Sequence, residues 1–151
     1  MSRQGSKEWN AAEAWRAIFD FIVVTAPQRD AFIKHLGLSP AESRALASLE
    51  PDRGRPMRVL AQEWGCDPSN ATWLVDRLEA LGLARRESVP NDRRIKSVVL
   101  TAAGVKLRAR LRRFFYTPPP VLLELPAQDL EALRSASTKL PRPARPRFTR
   151  P

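Results

Sequence analysis

Ser69, Asn70, Thr72, Trp73 and Arg77 crowd into one short stretch between positions 69 and 77. The hydroxyls and the amide can donate to or accept from base edges and phosphates. The Arg77 guanidinium suits a phosphate and, less often, a guanine. The Trp73 indole can lie on a sugar, meet a thymine methyl group, or pack against a neighbouring helix. A second charged group follows at Asp92-Arg93-Arg94. Catalysis is not what these residues suggest: the chain has no Gly-rich phosphate loop, no nucleophile paired with a base and no metal triad. No cofactor is expected.

The elements that must position these groups can be read from helical periodicity. Laid out at about 100° per residue, Ala71, Leu74, Val75, Leu78 and Leu81 form one stripe that must face a core, while Ser69, Trp73, Asp76, Arg77 and Ala80 lie opposite, flanked by Asn70 and Thr72. The spacing predicts a helix over 68–81. Asp67 is a good N-cap whose carboxylate can accept from the first turn, Pro68 suits the first helical position, and Gly82 followed by Leu83 suits a left-handed stop. A preceding helix over 56–64 puts Met57, Leu60, Ala61 and Trp64 on one face, and Gly65-Cys66 is a short turn. This is helix-turn-helix spacing. Beyond Gly82, residues 83–88 read as a strand, 89–94 as a turn and 95–100 as the return strand, making a two-stranded wing.

The run PMRVLAQEWGCDPSNATWLVDRLEALGLARR, then NDRR, then LTAAG, resembles the MarR family of bacterial winged-helix regulators. The resemblance is strongest over 38–104 and architectural elsewhere. It implies a mainly α fold with a small β-hairpin wing, and N- and C-terminal helices that form a dimerisation arm. Arg94 matches the arginine of the family's Asp-x-Arg wing tip and resembles a minor-groove probe held by Asp92. A guanidinium is attracted to the negative potential of a narrow A·T-rich groove. Arg93 reads as a phosphate contact or a partner for an acid such as Asp76; a solvated hairpin tip is the plainer alternative for both arginines. Trp73 departs from the smaller or basic residue that family members often carry there. The resemblance also implies a small aromatic or lipophilic effector, for which Trp15, Phe19, Phe32, His35 and Phe114 are candidate contacts, each equally at home in plain core.

Before this resemblance, charge and composition already narrow the field. The 151 residues carry a formal charge of +10 and the pI is about 11.1, which points to a polyanionic partner such as nucleic acid. Solubility with a basic tail is the alternative reading of charge alone. One cysteine and one histidine exclude a disulfide framework and a Cys/His metal cluster. Cys66 reads as a small buried residue. The N-terminal MSRQGSKEWN leads into no signal-peptide apolar region, and no apolar run suits a bilayer span, so no membrane partner and a cytoplasmic location are expected.

Residues 8–26 read as a helix apolar nearly all round. Ala11, Ala14, Trp15, Ile18, Phe19 and Ile22 form a stripe, Phe21, Val23 and Val24 lie off it, and Pro27 is expected to kink or restart the helix. Such a helix is expected to pack partly against another subunit. Ser39 and Glu42 form a capping box for a helix over 40–49, with Ala41, Ala45, Leu46 and Leu49 facing inward and 51–55 forming a turn. Thr101 can cap a helix over 102–116, with Leu107, Leu111 and Phe114 or Phe115 inward and Lys106, Arg108, Arg110, Arg112 and Arg113 on a solvated basic face. Residues 117–120 read as a stiff connector and 126–140 as a last helix lined by Leu130, Leu133 and Ala136. The Pro/Arg tail, 141–151, cannot pack a core.

The domain plan is therefore an N-terminal dimerisation region over 1–36, a winged helix-turn-helix over 38–101, C-terminal dimerisation helices over 102–140 and a disordered basic tail. The function expected is a sequence-specific double-stranded-DNA-binding regulator, a repressor that binds an inverted repeat as a homodimer and is released by a small organic effector. The alternative is a winged-helix module that coats nucleic acid or binds protein without sensing a ligand.

Overall fold

The computed structural model describes residues 3–89 and 92–141, with side chains over 6–88 and 96–141. The chain forms two compact units, residues 1–40 and 41–151.

The first unit is α1, Arg3–His35, one helix of 33 residues with Pro27 inside it. The kink or restart expected at Pro27 is absent as a break. Proline cannot donate to the Val23 carbonyl and crowds it, yet the helix runs on through it, with side-chain bonds tying the turn just before. Thr25 Oγ1 donates to Phe21 O at 2.7 Å, and Arg29 donates through Nη2 to Ile22 O at 2.7 Å and through Nη1 to Thr25 Oγ1 at 2.6 Å. Gly37, with φ +73°, ends the segment. In one copy of the chain α1 leaves Trp9, Trp15, Ile18, Phe19, Ile22, Val23 and Val24 exposed.

In the second unit, α2 (Pro40–Ser48) is followed by β1 (Arg55–Pro56), α3 (Met57–Trp64), α4 (Pro68–Ala80), β2 (Ala84–Val89), β3 (Asp92–Leu100), α5 (Ala102–Tyr116), α6 (Pro120–Leu123) and α7 (Ala127–Ser137). The strands form an antiparallel sheet in the order β1-β3-β2, with Arg55 opposite Val98, Arg86 opposite Val98 on the other side, and Ala84 opposite Leu100. Fold class is as the sequence suggests, mainly α with a small antiparallel sheet. The sheet has one strand more than the expected wing, because part of the 51–55 turn pairs with β3. Pro56 is tolerated there since β1 is an edge strand.

The core of this unit is Leu46, Leu49, Leu60, Leu78, Leu111, Val75 and Val98, each essentially inaccessible to water. Ala45 joins them, while Ala41 is only partly buried. Three charged groups, Glu42, Arg55 and Arg108, enter the interior against expectation. Arg55 is buried and is held by Glu50 at 3.2 Å and by Glu63. Arg108, expected on a solvated face, is buried instead, and its Nε donates to Ala47 O at 3.3 Å. Burial and the neighbouring Arg112 hold its pKa below the usual arginine range, against the opposing pull of Glu50.

The C-terminal elements differ most from expectation. Part of the 117–120 connector is the first residue of α6, and α7 starts at Ala127 rather than Pro126. None of α7 is buried, and Leu133, expected to face inward, is 45% exposed. An isolated helix of 11 residues is marginal in water, so this exposed apolar surface lacks the packing that normally holds such a helix. Residues 142–151, the expected disordered tail, lie outside the described residues.

Candidate nucleic-acid interface

α4 carries the candidate reading face, and its position is set by its two ends. Asp67 occupies the N-cap with extended backbone, and Ala71 N donates to its carbonyl at 3.0 Å; the carboxylate itself makes no capping bond, contrary to the sequence reading. At the other end Gly82 adopts φ +68°. Gly82 N donates to Glu79 O and Leu83 N to Leu78 O, both at 2.8 Å, which is the double closure of a Schellman stop. Leu83 is buried behind it, whereas Leu81, expected on the inner stripe, is the C-cap and is 39% exposed. Ala71, Leu74, Val75 and Leu78 fill the core as their spacing requires.

The same stop anchors the start of α5. Thr101 Oγ1 donates to Gly82 O at 2.6 Å and accepts from Gly104 N at 3.0 Å, and Thr101 N donates to Leu83 O at 3.1 Å. Gly104 sits so close to the Leu83 carbonyl that a Cβ would overlap it. The α3–α4 turn is equally compact: Gly65 is left-handed at φ +60°, and Cys66 N donates to Ala61 O at 3.1 Å. Trp64 Nε1 donates to Ser48 Oγ at 2.8 Å, fastening α3 to α2.

With the helix so placed, Ser69, Asn70, Thr72, Trp73, Asp76, Arg77 and Ala80 are all exposed on one side. Their charges are not idle. Arg77 Nε lies 3.0 Å from Glu42 Oε1, a carboxylate that α2 holds 3% exposed. Asp76 pairs at 2.8 Å with Arg86 of β2. The Arg86 guanidinium also binds Glu79, while Arg86 N donates to Glu79 Oε1 at 2.7 Å. Arg86 therefore clamps the base of the wing to α4, a role the sequence did not single out. Thr72 Oγ1 donates back to Pro68 O at 2.8 Å.

Asp92, Arg93 and Arg94, expected in a turn, lie in the backbone of β3; their side chains lie outside the described residues. Besides Arg86, two described wing cations are engaged within the wing: Arg85 Nε donates to Glu87 at 2.7 Å and Lys96 to Ser88 at 2.6 Å. Among the candidate effector contacts, α1 brings Trp15 and Phe19 to a ring separation of 6.3 Å, Phe32 is partly buried and His35 exposed. Phe114, on α5, meets Phe115 edge-on at 5.7 Å. A cavity of about 320 Å³ on the second unit is lined by Ala109, Arg112, Arg113, Tyr116 and Thr117, none of them among those candidates. Among the described residues no group of His, Cys, Asp and Glu could hold a metal, and no helix is long and apolar enough to cross a membrane.

The helix-turn-helix and most of the wing, residues 36–95, match the model of the MarR family. An uncharacterized HTH-type transcriptional regulator of Bacillus subtilis, YcgE, is 31% identical over 101 residues, which span 66% of each chain. The chain belongs to the MarR family. Solved structures agree in fold with this MarR-family chain. The multiple antibiotic-resistance repressor MarR from Listeria monocytogenes superposes with a TM-score of 0.71 at 21% identity, covering 88% of this chain and 93% of that one. An S. aureus MepR mutant bound to an oligodeoxyribonucleotide superposes with a TM-score of 0.67 at 21% identity, covering 83% of this chain and 94% of that one. The family and fold are those of transcription regulators, not of enzymes.

Proposed function

We propose that this MarR-family chain is a homodimeric transcriptional regulator that reads a specific inverted repeat in double-stranded DNA. The observation that carries the reading is the exposed face of α4, with Ser69, Asn70, Thr72, Trp73 and Arg77 projecting from a helix tied to α2 by Arg77–Glu42 and to β2 by Asp76–Arg86. The DNA-bound state of the MepR neighbour supports the same use of this fold. The family resemblance of Asp92-Arg93-Arg94 supports Arg94 as a minor-groove probe held by Asp92, and Arg93 is taken as a phosphate contact.

The dimer follows from the apolar surface that one copy leaves in water. The domain plan keeps 1–36 and 102–140 as the dimerisation segments, and both present large exposed apolar residues, several on α1 and, in the second, Val121, Leu123, Leu133 and Leu140. In such a dimer two α4 helices enter successive major grooves about 34 Å apart, so the half-sites lie roughly one helical turn apart. Repression, release by a small aromatic or lipophilic effector bound near Trp15, Phe19, Phe32, His35 and Phe114, and a cytoplasmic location complete the proposal.

The test is to mix the purified protein with fragmented DNA of its source organism at physiological salt and sequence what is retained. Enrichment of one or a few inverted repeats is expected. Uniform retention that disappears as salt rises would instead favour the coating reading, for which the exposed Lys106, Arg110 and Arg113 of α5 are the supporting feature.

A further inference from the structure

α4 carries three charged side chains, Asp76, Arg77 and Glu79, and each faces an opposite charge within the same unit. Asp76 and Glu79 share Arg86, and Arg77 Nε is directed at Glu42. The Thr72 hydroxyl proton is committed to Pro68 O. The charges on the reading face are thus partnered within the protein, and by far the largest of its neutral groups is Trp73. Its indole is 53% exposed. Along the face its neighbours one turn away are Ser69, Asn70, Asp76 and Arg77. The one bulky neighbour, Arg77, is directed at Glu42, and the indole stays more than half exposed beside it.

An aromatic surface of this size left in water needs an apolar counterpart in the complex. At the base edges of the major groove every group but one is a hydrogen-bond donor or acceptor; the exception is the C5-methyl of thymine. Stacking on an intact base is ruled out by the duplex itself, since only edges are presented. We infer that Trp73 is a specificity-determining residue that reads a thymine by its C5-methyl group in the major groove. The inference rests on the DNA-binding reading above and deepens it. It also predicts that 5-methylcytosine, which carries a methyl at the equivalent ring carbon, satisfies the indole where cytosine does not.

The experiment uses the retained operator in duplexes where each thymine in turn is replaced by deoxyuridine, which removes the methyl and leaves the pairing edge intact. Affinities are measured for the wild-type protein, Trp73→Ala and Trp73→Phe. One symmetry-related thymine per half-site is expected to show wild-type binding about fourfold weaker with uracil, the effect of one buried methyl. Trp73→Ala is expected to bind the thymine and uracil duplexes equally, and Trp73→Phe to keep part of the difference. Thermal unfolding of both variants is expected to match the wild type, because the indole is exposed. A uracil series that is flat for the wild type on a specific operator overturns the inference alone, as does a thymine preference that survives in Trp73→Ala. Failure to find any preferred sequence overturns the regulator reading and this one with it.

Discussion

Arg77→Ala separates two roles that the sequence merges into one. The guanidinium lies 3.0 Å from a Glu42 carboxylate that is 3% exposed. Removing one partner of a fully buried ion pair costs about 3–5 kcal/mol, because the other charge is left without compensation. Arg77 is itself 46% exposed on its side chain, so water partly replaces it, and surface pairs are worth only about 0–1 kcal/mol. The pair lies between these limits, and a loss of about 1–2 kcal/mol is expected. For a chain of 151 residues that corresponds to a fall in Tm of roughly 3–6 °C. Adding Glu42→Gln should restore most of it, since the amide needs no counter-charge. Calorimetric melts of wild type, both single variants and the double variant form the assay. An unchanged Tm for Arg77→Ala, or a double variant no better than the single, would refute the view that Arg77 neutralises Glu42. DNA binding by the recovered double variant then reports the phosphate role alone, as a weaker affinity with a salt slope reduced by about one.

Four further outcomes are expected. Gly104→Ala should cost about 2 kcal/mol or more in denaturant titrations, since its methyl would overlap the Leu83 carbonyl where α4 and α5 are joined. Phe19→Asp with Ile22→Asp should yield a folded monomer in analytical ultracentrifugation; a persistent dimer would move the interface off α1. Arg86→Ala should weaken DNA binding by leaving Asp76 and Glu79 uncompensated, and Asp76→Asn in the same chain should recover part of the affinity. Arg94→Ala should weaken operator binding in a mobility-shift assay while leaving the dimer intact, and unchanged affinity would remove the wing tip from the mechanism.

What could be read from the sequence was what local chemistry decides. The left-handed stop at Gly82, the short turn at Gly65-Cys66, the Thr101 cap and, except for Leu81, the inner stripe of α4 depend on residues within one or two turns, and are found where their spacing places them. Gly104 belonged to the motif that carried the family resemblance, but its reason, contact with the Leu83 carbonyl, needs coordinates. What could not be read depends on partners distant in the chain. Glu42 meets Arg77 across 35 positions and Arg108 meets Ala47 across 61, so neither burial follows from helical periodicity. β1 was hidden because two residues with a proline carry no strand pattern. α1 continues through Pro27, and Thr25 and Arg29 bond the Phe21 and Ile22 carbonyls in the turn just before it, contacts that a rule about proline alone omits. The apolar surface of α1 was legible as sequence, whereas the exposure of Leu133 on α7 was not.

The central claim, that this is a reader of specific DNA and not a coat upon it, is tested most directly by equilibrium binding to the retained repeat and to its single-base-pair variants at one fixed salt concentration. The account predicts losses of about 1–3 kcal/mol at individual positions, mirrored about a dyad with half-sites roughly one turn apart. Equal affinity for every variant, with binding that responds to salt alone, would contradict it.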